Sequence, residues 1–187
     1  MGFCKNIAVF CGSSRGAKPE YAAAARKLGR LLGSQGRGLV FGGCLDGLMA
    51  EVAAGARETG APIHSQFIKG LYQEKDHLPG AIECFYDNVS ERKQGLLSHC
   101  DACVMLPGGF GTLDEFTDVC AAVQLGEVRR PLGILNTAGY FDPLLSFFAG
   151  MRKEGFLSPE WDGLYAAASD PESLLGMLDA AQSGNDQ

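Results

Sequence analysis

The chain has 187 residues, of which 46% are hydrophobic and 20% charged, which is ordinary for a soluble globular protein and excludes a disordered chain. The length fits one domain covering residues 1–187. The net charge of −6 excludes a broad nucleic-acid surface, although the basic pairs Arg92-Lys93 and Arg129-Arg130 are each able to serve one small anion.

Compact apolar runs alternate with segments of helical periodicity through the first half of the chain. The elements predicted there are strands over 7–11, 38–41, 62–68 and 84–86 and helices over 19–35, 47–58 and 90–99. Pro19 suits the first turn of the first helix, and Asp46 is placed to cap the second.

The same alternation continues in the second half. The predicted elements are strands over 102–106 and 132–135 and helices over 112–125, 141–154 and 171–181, followed by a frayed tail over 183–187. Apolar strands joined by helices of about ten or more residues indicate βαβ units in a parallel sheet that is buried on both faces. We therefore predict a Rossmann-like α/β fold with three α/β/α layers and a mainly parallel sheet.

Glycine-rich loops follow three of the predicted strands. Their residues are Gly12, Ser13 and Ser14, then Gly42 and Gly43, and finally the segment 107–112 with Gly108, Gly109, Gly111 and Thr112. Ligands of open α/β sheets bind beyond the carboxyl ends of the strands, and free N–H groups before a helix form a phosphate cradle. For the first two loops, an ordinary turn explains the glycines equally well.

The segment 107–112 differs from both familiar nucleotide loops. The chain has no Gly-x-x-x-x-Gly-Lys-Ser/Thr pattern, which argues against hydrolysis of a triphosphate by a P-loop. No Gly-x-Gly-x-x-Gly follows the first strand, so a dinucleotide cofactor is disfavoured as well.

Thr112 and Glu115 allow two interpretations. The spacing is that of a capping box, in which each side chain would satisfy a backbone donor at the helix start. A carboxylate folded over the helix start would, however, repel a phosphate held there. Glu115 would instead turn towards a ribose, where it could stabilise an oxocarbenium-like centre or orient water.

Arg92 and Lys93 lie near the start of a predicted helix. The planar fork of an arginine suits phosphate or ribose oxygens. The alternative is a solvated helix face on which Glu91 is the neighbouring counter-charge.

The seven cysteines are odd in number and lie mostly in apolar runs, so we expect reduced thiols. Cys100 and Cys103 have the spacing of a metal knuckle, but zinc sites need about four ligands and no second such pair is present, which favours buried structural cysteines. The histidines show no metal-ligand spacing either. Without a leader pattern or an apolar run of ~20 residues, we expect a cytoplasmic protein.

Together these motifs resemble the Lonely Guy family of cytokinin-riboside 5′-monophosphate phosphoribohydrolases, which are often labelled lysine decarboxylase-like. The segments that carry the resemblance are 10–14, 19–21, 39–43, 47–49, 91–93, 107–115, 124–126, 131–136 and 154–156. The order Glu-Arg-Lys, then Pro-Gly-Gly-x-Gly-Thr-x-x-Glu, is the most specific part.

The resemblance implies a Rossmann-like homodimer that hydrolyses the N-glycosidic bond of a purine nucleoside 5′-monophosphate, without a metal or organic cofactor. It implies that Arg92 and Glu115 are the catalytic pair, and that Lys93 and Glu74 contact the substrate. The glycine loop at 108–112 and the turn at 12–14 would bind the phosphate. Decarboxylation is rejected, because no lysine is placed to carry pyridoxal phosphate as an electron sink.

The chain departs from the family pattern at Cys44, Val89-Ser90, 65–67 and Ala121-Ala122. Several of these positions are expected near the base. The alternative hypothesis is therefore a non-catalytic carrier or sensor, binding a nucleotide or a molybdenum cofactor on the same fold.

Overall fold

A computed structural model describes residues 3–185. The strands are β1 (Asn6–Phe10), β2 (Gly38–Phe41), β3 (Ile63–Ile68), β4 (Ile82–Tyr86), β5 (Ala102–Met105), β6 (Leu132–Leu135) and β7 (Ala166–Ala168). The helices are α1 (Pro19–Ser34), α2 (Gly47–Glu58), α3 (Val89–Ser98), α4 (Phe110–Gln124), α5 (Asp142–Lys153) and α6 (Pro171–Asn185).

The strands form one seven-stranded sheet in the order β4-β3-β2-β1-β5-β6-β7. Every neighbouring pair is parallel. The predicted α/β fold is thus confirmed, and the sheet of the described residues is entirely parallel rather than mainly so. β2, β1 and β5 are adjacent, so the loops that follow them lie at one edge.

Two apolar layers cover the sheet, as its buried strands require. Ile7 and Val9 of β1 pack into the cluster that includes α1, α2 and α6. Ala8 and Phe10 of the same strand pack into the cluster that includes α3, α4 and α5. The alternation of side chains along each strand thus supplies both layers.

The predicted elements differ from the observed ones in a few places. β7 was not predicted, because three alanines carry little β-propensity; it pairs with β6 at the sheet edge. Asp46 stands at the N-cap of α2, but its side chain makes no capping hydrogen bond and binds Lys75 instead.

The start of α4 and the end of α6 also differ from the predicted bounds. α4 begins at Phe110 rather than at Thr112. α6 continues to Asn185, so residues 183–185 of the predicted frayed tail lie in this helix, whereas 186–187 fall outside the described residues. Within residues 3–185, we find no helix with the length and apolarity that a membrane crossing demands.

A buried ion pair ties the amino edge of the sheet to α6. Arg37, which is 3% exposed, precedes β2. Its Nη1 donates to the Cys4 carbonyl oxygen at 2.8 Å and to Asp179 Oδ1 at 2.9 Å, and its Nη2 donates to Asp179 Oδ2 at 2.6 Å. This bidentate geometry fixes α6 against the sheet.

Replacing Asp179 with alanine would leave the Arg37 guanidinium buried without its carboxylate. We expect the free energy of unfolding to fall by about 2 kcal/mol, less than for a fully buried pair because the Asp179 side chain is 28% exposed. Urea denaturation measures this change. The matched control is Asp162→Ala, which breaks an exposed pair with Arg152 and is expected to cost much less. Equal losses in the two variants would contradict the prediction.

Candidate active site

At the carboxyl edge of the sheet, the first glycine loop contacts the third, and the start of α2, which follows the second, packs against the first. The amide of Gly12 donates to the Pro107 carbonyl oxygen at 3.0 Å, and the amide of Leu48 donates to the Gly12 carbonyl oxygen at 3.0 Å. Gly47 has a φ of +59°, and a Cβ there would lie 2.3 Å from the Ser13 carbonyl carbon. The close approach of these loops therefore requires glycine.

The start of α4 is open towards this edge. Gly109 is the N-cap residue and offers no side chain to the helix donors. A Cβ at Gly109 or Gly111 would meet no atom within 4 Å, so the amides there are approachable. Unpaired N–H groups and the helix dipole favour an anion at this position.

The capping-box hypothesis for Thr112 and Glu115 is wrong. Thr112 lies inside the helix that begins at Phe110, where it is 5% exposed. The Glu115 carboxylate binds Arg92, with 2.7 Å between Oε1 and Nη1. The sequence has the spacing of a capping box, but the Glu115 carboxylate forms an ion pair with Arg92 of α3 instead of accepting from the backbone.

The Arg92 guanidinium is held from several sides. Its Nε donates to the Gln66 carbonyl oxygen of β3 at 2.9 Å, and Nη1 binds Glu115 of α4. A Cβ at Gly42 would lie 2.2 Å from Nη2, so the absence of a side chain after β2 gives the guanidinium its place. The Arg92 and Glu115 side chains are only 15% and 14% exposed.

Lys93 is also mostly covered, so a solvated helix face is wrong for this basic pair. Its Nζ lies 2.9 Å from Asp118 Oδ1 and 3.4 Å from Asp114 Oδ1, both on α4. Glu91, the suggested counter-charge, instead belongs to the start of α3. There its amide donates to Asn88 Oδ1 at 3.0 Å, and Asn88 is a cap that we did not predict.

Burial raises the pKa of the Glu115 carboxyl above its ordinary value, while the charge and hydrogen bond of Arg92 act in the opposite direction. Removal from water disfavours the carboxylate, and the guanidinium recovers part of that loss. A carboxyl in this balance is suited to exchange a proton nearer to neutral pH than an exposed glutamate.

The remaining predicted contact residues lie around this edge. Ser13 and Ser14 are exposed beside the glycine loop. Glu74 is exposed in the short 3₁₀ turn Glu74–Asp76, in a segment for which the sequence predicted only a loop. Asp76 joins this turn to the loop after β2, because its Oδ1 accepts from the Leu45 amide at 2.9 Å.

Tyr140 is a residue of this edge that sequence analysis missed. Its hydroxyl donates to the Gly108 carbonyl oxygen at 2.6 Å. The tyrosine lies beyond β6, and nothing in its local pattern marks it.

An apolar cavity of about 450 Å³ lies between the glycine loop, the start of α4 and the first turn of α5. Its walls do not include Arg92 or Glu115.

The cysteine pair is structural in its surroundings. Cys100 and Cys103 are 3% and 0% exposed, and their Sγ atoms are 3.7 Å apart. All cysteines in the described part of the chain are free.

Comparisons with known proteins find relatives that match most of this chain. A family model described as "Possible lysine decarboxylase" matches residues 49–178. The Arabidopsis thaliana cytokinin riboside 5′-monophosphate phosphoribohydrolase LOG7 is 36% identical over 177 residues, which cover 94% of this chain and 81% of that protein. LOG5 of the same plant is 34% identical over 184 residues, covering 97% and 80%.

Among solved structures, the molybdenum cofactor carrier protein MCP from Chlamydomonas reinhardtii superposes with a TM-score of 0.72. The identity is 20%, and the match covers 95% of this chain and 98% of that one. At this identity the likeness establishes the shared fold alone.

The raised pKa of Glu115 predicts a pH-dependent difference between the native chain and Glu115→Gln. Because the pKa of this carboxyl is higher in the folded chain than in the unfolded chain, its proton stabilises the fold at low pH. This contribution is complete below the unfolded pKa of about 4.3 and is lost as the pH rises through the folded pKa. We therefore expect the unfolding free energy of Glu115→Gln, relative to the native chain, to increase between about pH 4 and about pH 8.

Urea titrations across this pH range measure the difference. Glu154→Gln, at an exposed position after α5, serves as the control and should show a much smaller trend. A difference for Glu115→Gln that stays flat or falls with pH would refute the effect of burial.

Proposed function

This chain belongs to the family of cytokinin riboside 5′-monophosphate phosphoribohydrolases, the Lonely Guy family, and we propose that it hydrolyses the N-glycosidic bond of a purine nucleoside 5′-monophosphate. The products are the free base and ribose 5-phosphate. The observation that carries the proposal is the Arg92–Glu115 ion pair, largely covered, beside the open start of α4.

The phosphate of the substrate binds at the start of α4. The amides around Gly109 and Gly111 and the hydroxyls of Ser13 and Ser14 are the donors available there. The helix dipole adds to their attraction for a dianion. Lys93 contributes positive charge from α3, although its ammonium group is shared with Asp118.

Glu115 and Arg92 act on the ribose. As the bond between C1′ and the base nitrogen breaks, positive charge develops at C1′, and the Glu115 carboxylate stabilises it. The oxygen of the attacking water bonds to C1′, and Glu115 takes the proton that this water loses. The same proton then passes from Glu115 to the departing base nitrogen, which returns the carboxylate to its starting state. Arg92 keeps the carboxylate in position and donates to ribose or phosphate oxygens.

The base is adenine or an N6-modified adenine of the cytokinin type. The names of the relatives support this choice. The surroundings expected for the base differ from the family pattern at Val89 and Phe67. Val89 is 50% exposed at the start of α3, and the Phe67 ring packs against Gly43. Comparing AMP with isopentenyladenosine monophosphate as substrates decides between the two bases.

We propose that the protein forms a homodimer. Phe110 at the start of α4 is 92% exposed and Phe147 of α5 is 60% exposed. Phe147 follows Pro143 and Leu144 on one face of α5, and those two residues line the apolar cavity together with Phe110. A continuous exposed apolar surface of this kind is typical of a protein interface, and a second copy is its occupant.

We place the protein in the cytoplasm. Cys100 and Cys103 lie within reach of each other as free thiols, which fits a reducing compartment.

Glu115→Ala is expected to lower turnover by at least ~100-fold while phosphate binding is largely retained, because it removes a group that acts on the proton and on C1′. Arg92→Ala is expected to impair binding and turnover together. Release of ribose 5-phosphate from AMP and isopentenyladenosine monophosphate measures turnover, and calorimetry measures binding. The control is Glu127→Ala, at an exposed position after α4, which should behave like the native chain.

If the native chain turned over no purine or pyrimidine monophosphate, the proposed activity would be wrong. Nucleotide or molybdenum-cofactor binding without hydrolysis, unaffected by Glu115→Ala, would support a carrier instead. Full turnover in Glu115→Ala would remove this carboxylate from the mechanism.

The proposed dimer predicts that a substitution in its interface yields a monomer. Phe147→Ser is expected to convert the protein to a monomer at micromolar concentration, because it removes an exposed aromatic ring from the proposed interface. Analytical ultracentrifugation measures the mass. Phe156→Ser, at a residue that is 87% exposed beyond α5, tests whether the loss of any exposed aromatic ring has the same effect. A native chain that sediments as a monomer would overturn the dimer.

A further inference from the structure

The second basic pair of the chain, Arg129 and Arg130, lies at the opposite edge of the sheet from the active site. The pair precedes β6, whereas the glycine loops follow β1, β2 and β5. Both arginines line a cavity of about 780 Å³ between the end of α4, the 3₁₀ turn Pro159–Trp161 and α6. Neither α5 nor the glycine loops contribute to its walls, so the cavity is separate from the site and surface described above.

The two arginines of this cavity are not engaged in ion pairs with any residue that the structure describes. Among the ion pairs of residues 3–185, Arg129 and Arg130 have no carboxylate partner. Arg130 Nη1 donates to the Arg129 carbonyl oxygen at 3.1 Å. Its Nε is shielded from solvent and has no hydrogen-bond partner in the described part of the chain. A buried donor without an acceptor is rare in folded proteins.

The acidic residues of the same cavity are already occupied. Asp162 Oδ1 lies 2.8 Å from Arg152 Nη2, and Glu160 Oε1 accepts from the Ser158 hydroxyl at 3.1 Å. Neither carboxylate forms an ion pair with Arg129 or Arg130 among the described residues. The Arg129 guanidinium and the Nη2 group of Arg130 remain available for an anion, whose oxygens the planar fork of an arginine matches.

The rest of the cavity wall is apolar and aromatic. Trp161 and Tyr165 are half-buried there, and Met177 of α6 is 47% exposed. Aromatic rings and a methionine thioether accommodate a flat apolar group. The volume exceeds what a single inorganic anion fills and is within the usual range for small-molecule sites.

We propose that this cavity is a second binding site, for a small planar organic anion. Its carboxylate or phosphate group binds Arg129 and Arg130, and its aromatic body lies against Trp161 and Tyr165. The site needs no catalytic residue and is independent of the hydrolysis proposed above.

The chain contains one tryptophan, so the emission of Trp161 reports on this cavity. The full-length protein is titrated separately with phenyl phosphate, benzoate and inorganic phosphate while tryptophan fluorescence is followed. We expect a saturable change with an aromatic anion, and binding at least ~10-fold weaker in Arg129→Gln, which loses a charge-assisted hydrogen bond. Cyclohexanecarboxylate, which has the charge without the flat ring, is expected to bind more weakly than benzoate.

Arg57→Gln is the matched control. Arg57 is exposed on α2 and also has no carboxylate partner among the ion pairs of the described residues, but it lies outside this cavity. Its variant should bind as the native chain does. Arg129 is exposed, so its replacement leaves the fold intact, and circular dichroism verifies this for each variant.

Different outcomes would overturn the proposal. Emission that does not change with either aromatic anion removes the site, and equal affinity in Arg129→Gln removes the role of the arginine. If inorganic phosphate binds as tightly as phenyl phosphate, the planar body plays no part. Emission that changes with protein concentration instead of ligand identifies the cavity as an interface between copies. None of these results depends on turnover.

Discussion

The contact between Arg92 and Glu115 organises the carboxyl edge of the sheet. It joins α3 to α4, while the Gln66 carbonyl oxygen anchors the guanidinium to β3 and the missing side chain of Gly42 leaves space for it. A charge pair so far removed from water is stable only with good geometry and further hydrogen bonds, and both are present. The parallel order of β3, β2, β1 and β5 brings these partners together.

In the function that we propose, the same edge would divide the recognition of a nucleotide between backbone and side chains. Amides at the start of α4 and in the packed glycine loops supply donors that cost little conformational entropy, because close contacts already fix those loops. The ion pair beside them supplies a carboxylate whose pKa burial raises and the arginine opposes. The proposal thus assigns binding of the phosphate and chemistry at the ribose to different groups, which is why variants can separate them.

Local signals predicted most of the fold. Apolar runs and glycine turns identified β1 to β6, and helical periodicity identified α1 to α6 within a few residues of their bounds. The alanines of β7 carry no such signal, and only pairing with β6 makes them a strand. The start of α4 was misplaced, because Thr112 and Glu115 have the spacing of a capping box although Gly109 is the cap. In each case a tertiary contact overrode a local preference.

The amino-acid sequence by itself determined the order of strands and helices, the three glycine loops and the residue types available for an anion, because these depend on local backbone preferences. The tertiary structure alone decided which partner each charged side chain found. Arg92 meets Glu115 across 23 positions of the chain. Arg129 and Arg130, by contrast, have no carboxylate partner among the described ion pairs and line a cavity together with Trp161. Such pairings depend on how elements that are distant in sequence pack against one another, and no local sequence pattern encodes this packing.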